Sequence, residues 1–280
     1  MSIDIICPLY NGENYIYNLN GSILNQEKVD INKVLYILTE TSDNSEKKLK
    51  DLNCYYEKIK PNDFSHSLTR EKAAMKSNAD IIVFISQDIE IKDNNWLEEL
   101  IKPIINNEAE ACYSRQLTKY DNIEKYTRES NYPDKDFLKT KEDINKLGLK
   151  AFFFSDAASA IKTDIFKKLN GYDSKDLPTN EDMYIAYKLI TNGYRIKYCS
   201  KSIVYHSHKY SLKQLYDRYR LTGQFFKQND YLDNYGTTDS GANLAKYIFK
   251  RILEERNYKL IFRYPFDMAA RLIGMKVGKI

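Results

Sequence analysis

The sequence predicts an α/β fold in which a doubly wound, mostly parallel sheet is followed by a helical C-terminal extension. Strand-like and helix-like patterns alternate through residues 3–105, as in chains that build such sheets. Residues 81–85 are apolar without interruption, which indicates a strand buried on both faces of a parallel sheet. From residue 211 onward the pattern is helical. We therefore expect two parts, residues 1–210 and residues 211–280.

The elements of the first half follow one another in a regular order. Strands are predicted at residues 3–7, 33–38, 54–59 and 81–85, and helices at 14–26, 70–77 and 96–105. The buried strand at 81–85 ends on Ser86, Gln87 and Asp88. In open α/β sheets, ligands bind beyond the carboxyl ends of the strands, so the Asp88 carboxylate is placed for chemistry.

The second half shows fewer clear patterns. Strands are predicted at residues 110–115, 195–198 and 202–206, and helices at 163–169, 180–192 and 242–253. Residues 116–150 are highly charged and aperiodic, so they form either a substrate-facing excursion or elements that the pattern does not resolve. The helix at 242–253 has one apolar face, which packs against the domain or lies on a membrane surface.

Composition excludes several classes of protein. Hydrophobic residues make up 42% of the chain and aromatic residues 13%, so the chain is not disordered. The four cysteines are far apart and form no CxxC pair, which argues against a zinc site and a disulfide framework. The first residues do not resemble a signal peptide, and no apolar run approaches the roughly 18 residues of a membrane span, so we expect a cytoplasmic protein.

The net charge of +4 is distributed unevenly. Residues 209–280 contain 14 Lys and Arg against 7 Asp and Glu, a net charge of +7, so the rest of the chain carries −3. An anionic partner such as a phosphate or an acidic membrane surface would meet this basic segment first. A solvated basic surface is the alternative.

Two further groups of residues are candidates for chemistry. Glu181 and Asp182 begin a predicted helix, where acids favour the helix dipole but where a carboxylate beside a substrate hydroxyl is also a workable general base. His206 and His208 are two residues apart, so on an extended backbone both imidazoles point the same way. With Asp88 they suit Mn²⁺ or a similar divalent ion, with Mg²⁺ the alternative. An isolated HxH pair without a metal is the other reading.

The order of four motifs resembles the inverting family 2 glycosyltransferases with a GT-A fold. The motifs are PLYNGENYI, the strand end SQD, the acidic pair in NEDMYIAYKLITNGYRI, and HSH. The segments FSHSLTREKAAMKSNADIIVFISQD, FFFSDAASAIKTDIF and VYHSHKYSLKQLYDRYRLTGQFF are similar, more narrowly, to the bacterial rhamnosyltransferase-like branch. The resemblance covers residues 3–226.

By this resemblance, the nucleotide-sugar donor is bound by residues from five segments of the chain. They are Pro8, Tyr10, Asn11, Glu13, Glu40, His66, Arg70, Gln87, Ser155 and Asp156. Tyr10 would lie near the base, and Arg70 with His66 against the diphosphate, which a guanidinium can bind bidentately. Ser155 and Asp156 would border the donor sugar. Asp182, with Glu181 beside it, would accept the proton of the acceptor hydroxyl, and Asp88 takes the metal-binding position.

Two positions depart from the family pattern. Ser86 replaces the first acid of the DxD motif, which leaves Asp88 as the one carboxylate for the metal. The loop after the second strand reads LTETSD instead of DDGSTD, so Leu38 and Thr39 replace the acids that usually reach the base and ribose, and Glu40 or Asp43 is expected to substitute for them.

The resemblance implies transfer of a sugar, L-rhamnose in the narrower branch, from a dTDP- or UDP-sugar to a hydroxyl of a glycan or lipid-linked glycan in bacterial surface polysaccharide synthesis. No nucleic acid is expected as a partner, and the basic C-terminal helices are expected to contact the inner face of the cell membrane peripherally. Two alternatives remain. The first is a catalytically silent nucleotide-sugar or polysaccharide-binding module, which Ser86 favours. The second is a sugar-phosphate nucleotidyltransferase, but such enzymes have a glycine-rich, arginine-containing loop after the first strand, and the segment PLYNGENY has neither feature.

Overall fold

The computed structural model describes the backbone of residues 1–280 and all side chains except those of residues 237–240. Its strands are β1 (Ser2–Leu9), β2 (Asp30–Thr39), β3 (Tyr56–Ile59), β4 (Ile81–Ile85), β5 (Ile89–Ile91), β6 (Ala111–Leu117), β7 (Phe137–Lys139), β8 (Ala158–Lys162) and β9 (Ile196–His206). Its helices are α1 (Ile16–Leu24), α2 (Ser45–Asp51), α3 (His66–Lys76), α4 (Trp96–Ile105), α5 (Ile123–Asn131), α6 (Ile144–Leu147), α7 (Thr163–Lys168), α8 (Glu181–Thr191), α9 (Leu212–Gln228), α10 (Thr237–Glu254) and α11 (Tyr258–Lys279). The alternation of the first half is as predicted.

The strands form one sheet, in the order β3-β2-β1-β4-β8-β6-β9-β5, with β7 paired to β9. The first four strands in this order are parallel to one another. β8 runs antiparallel to both β4 and β6, and β6 is parallel to β9. All five residues of β4 are buried, because β1 and β8 flank the strand and helices cover the sheet. The predicted α/β class is confirmed, and the second half of the sheet is mixed.

One strand replaces the two predicted at residues 195–198 and 202–206. β9 continues through the polar residues Ser200 and Ser202 by means of an irregularity, because its pairing with β6 jumps from Cys199 to Ile203. Ser200 donates its backbone N–H and its hydroxyl to Asp136, and the buried Ser202 donates to the Trp96 carbonyl. These polar side chains look like a turn in the sequence but are satisfied inside the sheet.

Short elements occupy the aperiodic segment 116–150. Helix α5 buries Ile123 and Tyr126, and β7 adds three residues to the edge of β9. Lys139 on β7 is fully buried and donates to the Phe153 carbonyl, so a charged side chain lies where the strand pattern requires an apolar one. Because each element is short and buries one or two residues, no period extends over several turns.

The C-terminal helices pack tightly on the rest of the chain. Phe225 and Phe226 of α9 belong to the same buried cluster as residues of the sheet. An added Cβ at Gly223, Gly274 or Gly278 would collide with the backbone of the neighbouring helix, so α9 and α11 approach each other closely. In the part of the chain that the structure describes, no helix is both long enough and apolar enough to cross a bilayer. The division at residue 210 stays a prediction.

The helix predicted at 242–253 packs against the domain. Ile248 and Ile252 of α10 are fully buried and form a small cluster with Ile123 and Tyr126 of α5. Of the two alternatives for this helix, packing against the domain and lying on a membrane surface, the structure shows the first.

Candidate active site

Three side chains predicted to bind a metal lie together at one edge of the sheet. Asp88 follows β4 and directly precedes β5, and β5 pairs antiparallel with the end of β9, so Ile89 lies opposite His206. The Asp88 Oδ1 atom is 3.4 Å from His206 Nε2, and Asp88 Oδ2 is 3.7 Å from His208 Nδ1. One donor atom from each of the three side chains can be chosen within 4.8 Å of the others. The grouping is therefore tertiary, since nearly 120 residues separate Asp88 from the histidines.

The two histidines of this cluster are neutral, and the protonation of His206 can be assigned from its neighbours. Gln116 Oε1, which also accepts from Arg128, lies 2.9 Å from His206 Nδ1, so His206 carries its proton on Nδ1 and presents an unprotonated Nε2. That Nε2 is 2.9 Å from His208 Nε2. Burial lowers the pKa of His206, and burial together with the neighbouring His206 lowers the pKa of His208 to about 3. Both rings are neutral near pH 7.

Asp88 stays ionised beside these rings. Burial alone would raise the pKa of Asp88, but at the acidic pH where this carboxyl titrates, positive charge on His206 and His208 and a hydrogen bond from a protonated His206 outweigh burial and lower the pKa to about 2. An ionised carboxylate and two neutral imidazoles offer lone pairs to a cation. They form the donor set that a borderline divalent cation such as Mn²⁺ prefers. The residues present therefore fit a divalent metal.

Gln116 is a site residue that the sequence reasoning missed. It is fully buried on β6, donates to Ser155 Oγ at 2.8 Å and fixes the tautomer of His206. A signal was present in the sequence, since a glutamine in a central strand must have buried hydrogen-bond partners. The predicted site residue Ser155 is thereby linked to the histidine pair.

Asp182 faces a cavity of about 260 Å³ next to this cluster. The cavity is also lined by Gln116, Ser155 and His206, so the candidate base and the candidate metal site border the same space. Asp182 stands in the first turn of α8, where its Oδ1 accepts from its neighbour's backbone N–H, that of Met183, at 2.8 Å. Burial, followed by the negative charges of Glu181 and Asp156, raises the pKa of Asp182 well above its usual range.

Three arginines were not singled out from the sequence but line the same cavity. Arg128 comes from α5, Arg218 from α9 and Arg271 from α11. Arg271 pairs with Glu124, whereas Arg218 lies over the Tyr210 ring at 5.8 Å and has no carboxylate within salt-bridge distance in the described structure. The cavity is therefore lined by three cationic side chains, and it is built partly by the aperiodic segment and the C-terminal helices.

Glu181, which precedes Asp182 in the first turn of α8, forms an ion pair with Arg70. The Arg70 Nη1 atom donates to Glu181 Oε1 at 3.2 Å, and both side chains are almost fully buried. Asp156 lies in the same region and accepts from Ser159 at 2.7 Å and from Tyr172 at 2.6 Å, which occupies both of its oxygens. Burial, partly offset by Arg70, raises the pKa of Asp156 to about 6. The predicted roles of Arg70 at the diphosphate and of Asp156 at the sugar stay predictions.

This pairing gives Glu181 a structural role that can be measured. We expect Glu181→Leu to lower the free energy of unfolding by about 3 kcal/mol or more, because it leaves the Arg70 guanidinium buried without a counter-charge. Urea denaturation would measure the loss. The double variant Arg70→Met/Glu181→Leu removes both charges and should recover most of the stability. Equal stability of wild type and Glu181→Leu would contradict the pairing.

The first loop and the loop after β2 are held together at the carboxyl ends of β1 and β2. Glu13 Oε2 accepts from the backbone and the side chain of Asn44, both at 3.0 Å, and Asn11 accepts from Thr41. Gln87 binds the backbone N–H and carbonyl of Tyr10 at 2.7 and 2.9 Å. Gln87 and Glu13 thus shape the loops through contacts within the protein.

The remaining predicted donor contacts lie at the same sheet edge or near the surface. The Tyr10 ring and Glu40 are exposed, and Pro8 is half-buried at the end of β1. His66 is exposed at the start of α3, where its ring contacts Phe64 edge-to-face. Exposed side chains at the carboxyl end of a sheet are free to meet a ligand, and their predicted roles stay open.

Comparison with known proteins adds two kinds of likeness. The family model described as glycosyl transferase family 2 matches residues 4–170. The chain is 30% identical to the O-antigen chain rhamnosyltransferase RfbN of Salmonella typhimurium over 285 residues, covering 100% of this chain and 90% of the relative. It is 29% identical to the O-antigen chain rhamnosyltransferase WbaN of Salmonella anatum, covering 99% of this chain and 89% of the relative.

Solved structures share the fold at low sequence identity. The mannosyltransferase PcManGT of Pyrobaculum calidifontis, in complex with GDP-Man and Mn²⁺, superposes with a TM-score of 0.65 at 13% identity, over 99% of this chain and 86% of that one. S. aureus TarS 1–349, in complex with UDP-GlcNAc, gives a TM-score of 0.59 at 13% identity, over 100% of this chain and 90% of that one. At this level of identity the likeness concerns the fold.

Proposed function

We propose, from the premise that this chain belongs to glycosyl transferase family 2, that it moves L-rhamnose from a nucleoside diphosphate donor to a hydroxyl of a lipid-linked glycan. The chain is a glycosyltransferase of polysaccharide synthesis, and the resemblance found in the sequence and the GT-A fold expected from it are confirmed. The donor base, the sugar and the acceptor go beyond this and are proposals. The observation that carries the proposed transfer is the cavity that Asp182 shares with His206, a member of the Asp88–His206–His208 cluster, and the relatives support the sugar.

Asp182 is the proposed general base. Its carboxylate faces the cavity, and its raised pKa makes it a stronger proton acceptor than an ordinary aspartate. A hydroxyl of the acceptor bound in the cavity would give its proton to Asp182 while its oxygen attacks the anomeric carbon of the donor. Inversion follows because the attack and the departure of the diphosphate occur on opposite faces of the sugar.

Asp88, His206 and His208 are proposed to hold a divalent cation, with Gln116 fixing the ring of His206. A bound cation would neutralise negative charge on the departing diphosphate. One carboxylate and two imidazoles compensate for the serine at position 86, since three donors remain without the first acid of the family motif. A dTDP- or UDP-linked donor is proposed, with Tyr10 beside the base and Ser155 beside the sugar.

The acceptor is proposed to enter over the three arginines of the cavity. Arg128, Arg218 and Arg271 line the cavity that Asp182 faces, and their positive charges would attract an anionic acceptor. A lipid-linked glycan carries such charge in the phosphate groups that join sugar to lipid. The aperiodic segment and the basic C-terminal helices would then form the acceptor side, as the sequence suggested.

A donor screen tests the function. The purified chain is incubated with dTDP-rhamnose, UDP-sugars and GDP-sugars, with and without Mn²⁺, and released nucleoside diphosphate is measured. We expect release from dTDP-rhamnose, stimulated by Mn²⁺ and by a lipid-linked acceptor. If another donor works and dTDP-rhamnose does not, the sugar assignment is wrong and the family assignment stands. Ser86 favours the rival proposal of a silent binding module, which predicts donor binding without release of nucleotide.

A further inference from the structure

Helix α11 turns one apolar face towards solvent. Its exposed residues recur every three or four positions and occupy a sector of roughly 140° of the helix. Six of them are large hydrophobic side chains, between 42% and 79% exposed, and we call them the apolar face: Tyr258, Phe262, Phe266, Leu272, Ile273 and Val277. Over 22 residues the helix is about 33 Å long, so the face is far larger than the scattered apolar residues of an ordinary surface.

The opposite side of the same helix packs against the rest of the protein and mixes polar and small residues with partly buried apolar ones, among them Leu260, Tyr264 and Met268. Asp267, Arg271, Gly274 and Gly278 face inward. Asp267 pairs with Arg263, Arg271 pairs with Glu124, and the two glycines allow close contact with α9. A helix of a soluble protein normally buries its large apolar side chains, whereas this helix leaves six of them exposed. Rotating it is excluded, because α9 fits only against the glycines.

The charges around the apolar face are positive. Lys259 and Lys276 are exposed within the same sector, and the one acidic residue of α11, Asp267, is buried on the other side. A surface that combines Phe, Leu and Ile with lysines and lacks carboxylates is complementary to a bilayer interface with anionic headgroups. A second copy of the chain would place lysines against this face without any carboxylate to pair them.

We propose that the apolar face of α11 docks the enzyme on an anionic bilayer, with the helix lying in the plane of the interface. Phe262 and Phe266 would enter the boundary between headgroups and acyl chains, while Lys259 and Lys276 contact lipid phosphates. The docking is peripheral, since α11 is not apolar enough to cross a bilayer.

The position of α11 links this surface to the active site. Arg271, on the buried side of the helix, lines the same cavity as Asp182. One helix therefore separates the cavity from the proposed bilayer, and an acceptor anchored in that bilayer would need to extend past a single helix to reach Asp182. This link rests on the proposed function, whereas the docking itself does not.

Vesicle sedimentation tests the docking without donor or acceptor. The full chain is mixed with vesicles of phosphatidylcholine alone or of phosphatidylcholine with phosphatidylglycerol. We expect the wild type to sediment with the anionic vesicles and Phe262→Ser/Phe266→Ser to bind about tenfold or more weakly. Lys259→Gln/Lys276→Gln should lose about tenfold or more on anionic vesicles, since each lysine contributes electrostatic attraction. The matched control Leu24→Ser/Tyr55→Ser, at exposed apolar positions elsewhere, should bind as the wild type does.

The outcomes separate this proposal from its rivals. A wild type that stays in the supernatant with both kinds of vesicle, or a Phe262→Ser/Phe266→Ser variant that binds unchanged, would overturn it. So would a dimer that the same variant disperses without any vesicle binding, because the face would then belong to a second copy. Nucleotide release from the donor should be the same in this variant as in the wild type, so failure of docking and failure of the proposed reaction are distinguishable.

Discussion

Replacing Asp182 with Asn is expected to lower the rate of sugar transfer by about 10²–10⁴-fold while leaving donor binding nearly unchanged. Asparagine has the same shape but cannot accept the proton of the acceptor hydroxyl. The measurement is a single-turnover transfer assay combined with a donor-binding titration. A variant that transfers the sugar at a rate comparable to the wild type would contradict the assignment of Asp182 as the base.

The same substitution is expected to raise stability at neutral pH. Burial and the charges of Glu181 and Asp156 raise the pKa of Asp182 in the folded protein. The folded state therefore holds this proton at pH values where the unfolded chain has lost it, and the stability contributed by Asp182 falls as pH rises through that window. The asparagine of the variant carries no charge at any pH, so the variant does not show this decrease in stability with rising pH. Thermal melts between acidic and neutral pH would measure the difference.

The matched control is Asp4→Asn, another buried aspartate that lies away from the cavity. Asp4 accepts from Ser77 at 2.6 Å and from Asn32 at 2.7 Å. Its replacement should cost stability and leave the transfer rate unchanged. Opposite effects of the two substitutions on stability and rate would identify Asp182 as a functional carboxylate and Asp4 as a structural one.

Removing the Asp88 carboxylate is expected to have the second large effect. In Asp88→Ala, one of three donors to the proposed cation is lost, and with Ser86 alongside, no acid remains at the end of β4. We expect Mn²⁺ affinity to fall by more than the about 10–100-fold that loss of an outer-shell partner costs, and Mn²⁺-stimulated transfer to fall with it. Titration of Mn²⁺ followed by electron paramagnetic resonance measures the affinity directly.

Two comparison variants sharpen this result. Gln116→Leu keeps all three donors but releases His206 Nδ1, so its loss of Mn²⁺ affinity should be intermediate. Glu90→Ala removes an exposed carboxylate two residues from Asp88 that pairs with Lys119, and it should bind Mn²⁺ as the wild type does. Unchanged affinity in Asp88→Ala would exclude this cluster as the metal site.

Local pattern explains most of what could be predicted about the fold. The buried run of β4 was visible because both faces of a central parallel strand need apolar side chains. The break predicted between residues 198 and 202 was wrong, because Ser202 is satisfied by Trp96 from a distant helix. The helix α5 was missed because two buried side chains do not make a period.

The candidate site divides in the same way. Asp88, Asp182 and the two histidines were found from residue type and from their places at element ends, and the structure brings them to one sheet edge and one cavity. Gln116 and the cavity arginines were missed. Gln116 binds a histidine of another strand, and the arginines come from three different helices to line one cavity. Sequence spacing carries no information about such neighbours.

The class of the fold, the family and the residue types available for chemistry could be predicted from the sequence, because they depend on local period and on motif order along the chain. Contacts between distant elements set which ring nitrogen of His206 carries the proton, pair Arg70 with Glu181, and leave an apolar face of α11 exposed. The physical reason is that tautomers, ion pairs and buried faces are set by neighbours across space. In α11 the buried glycines fix the side that meets α9, and that contact leaves the apolar face for another surface.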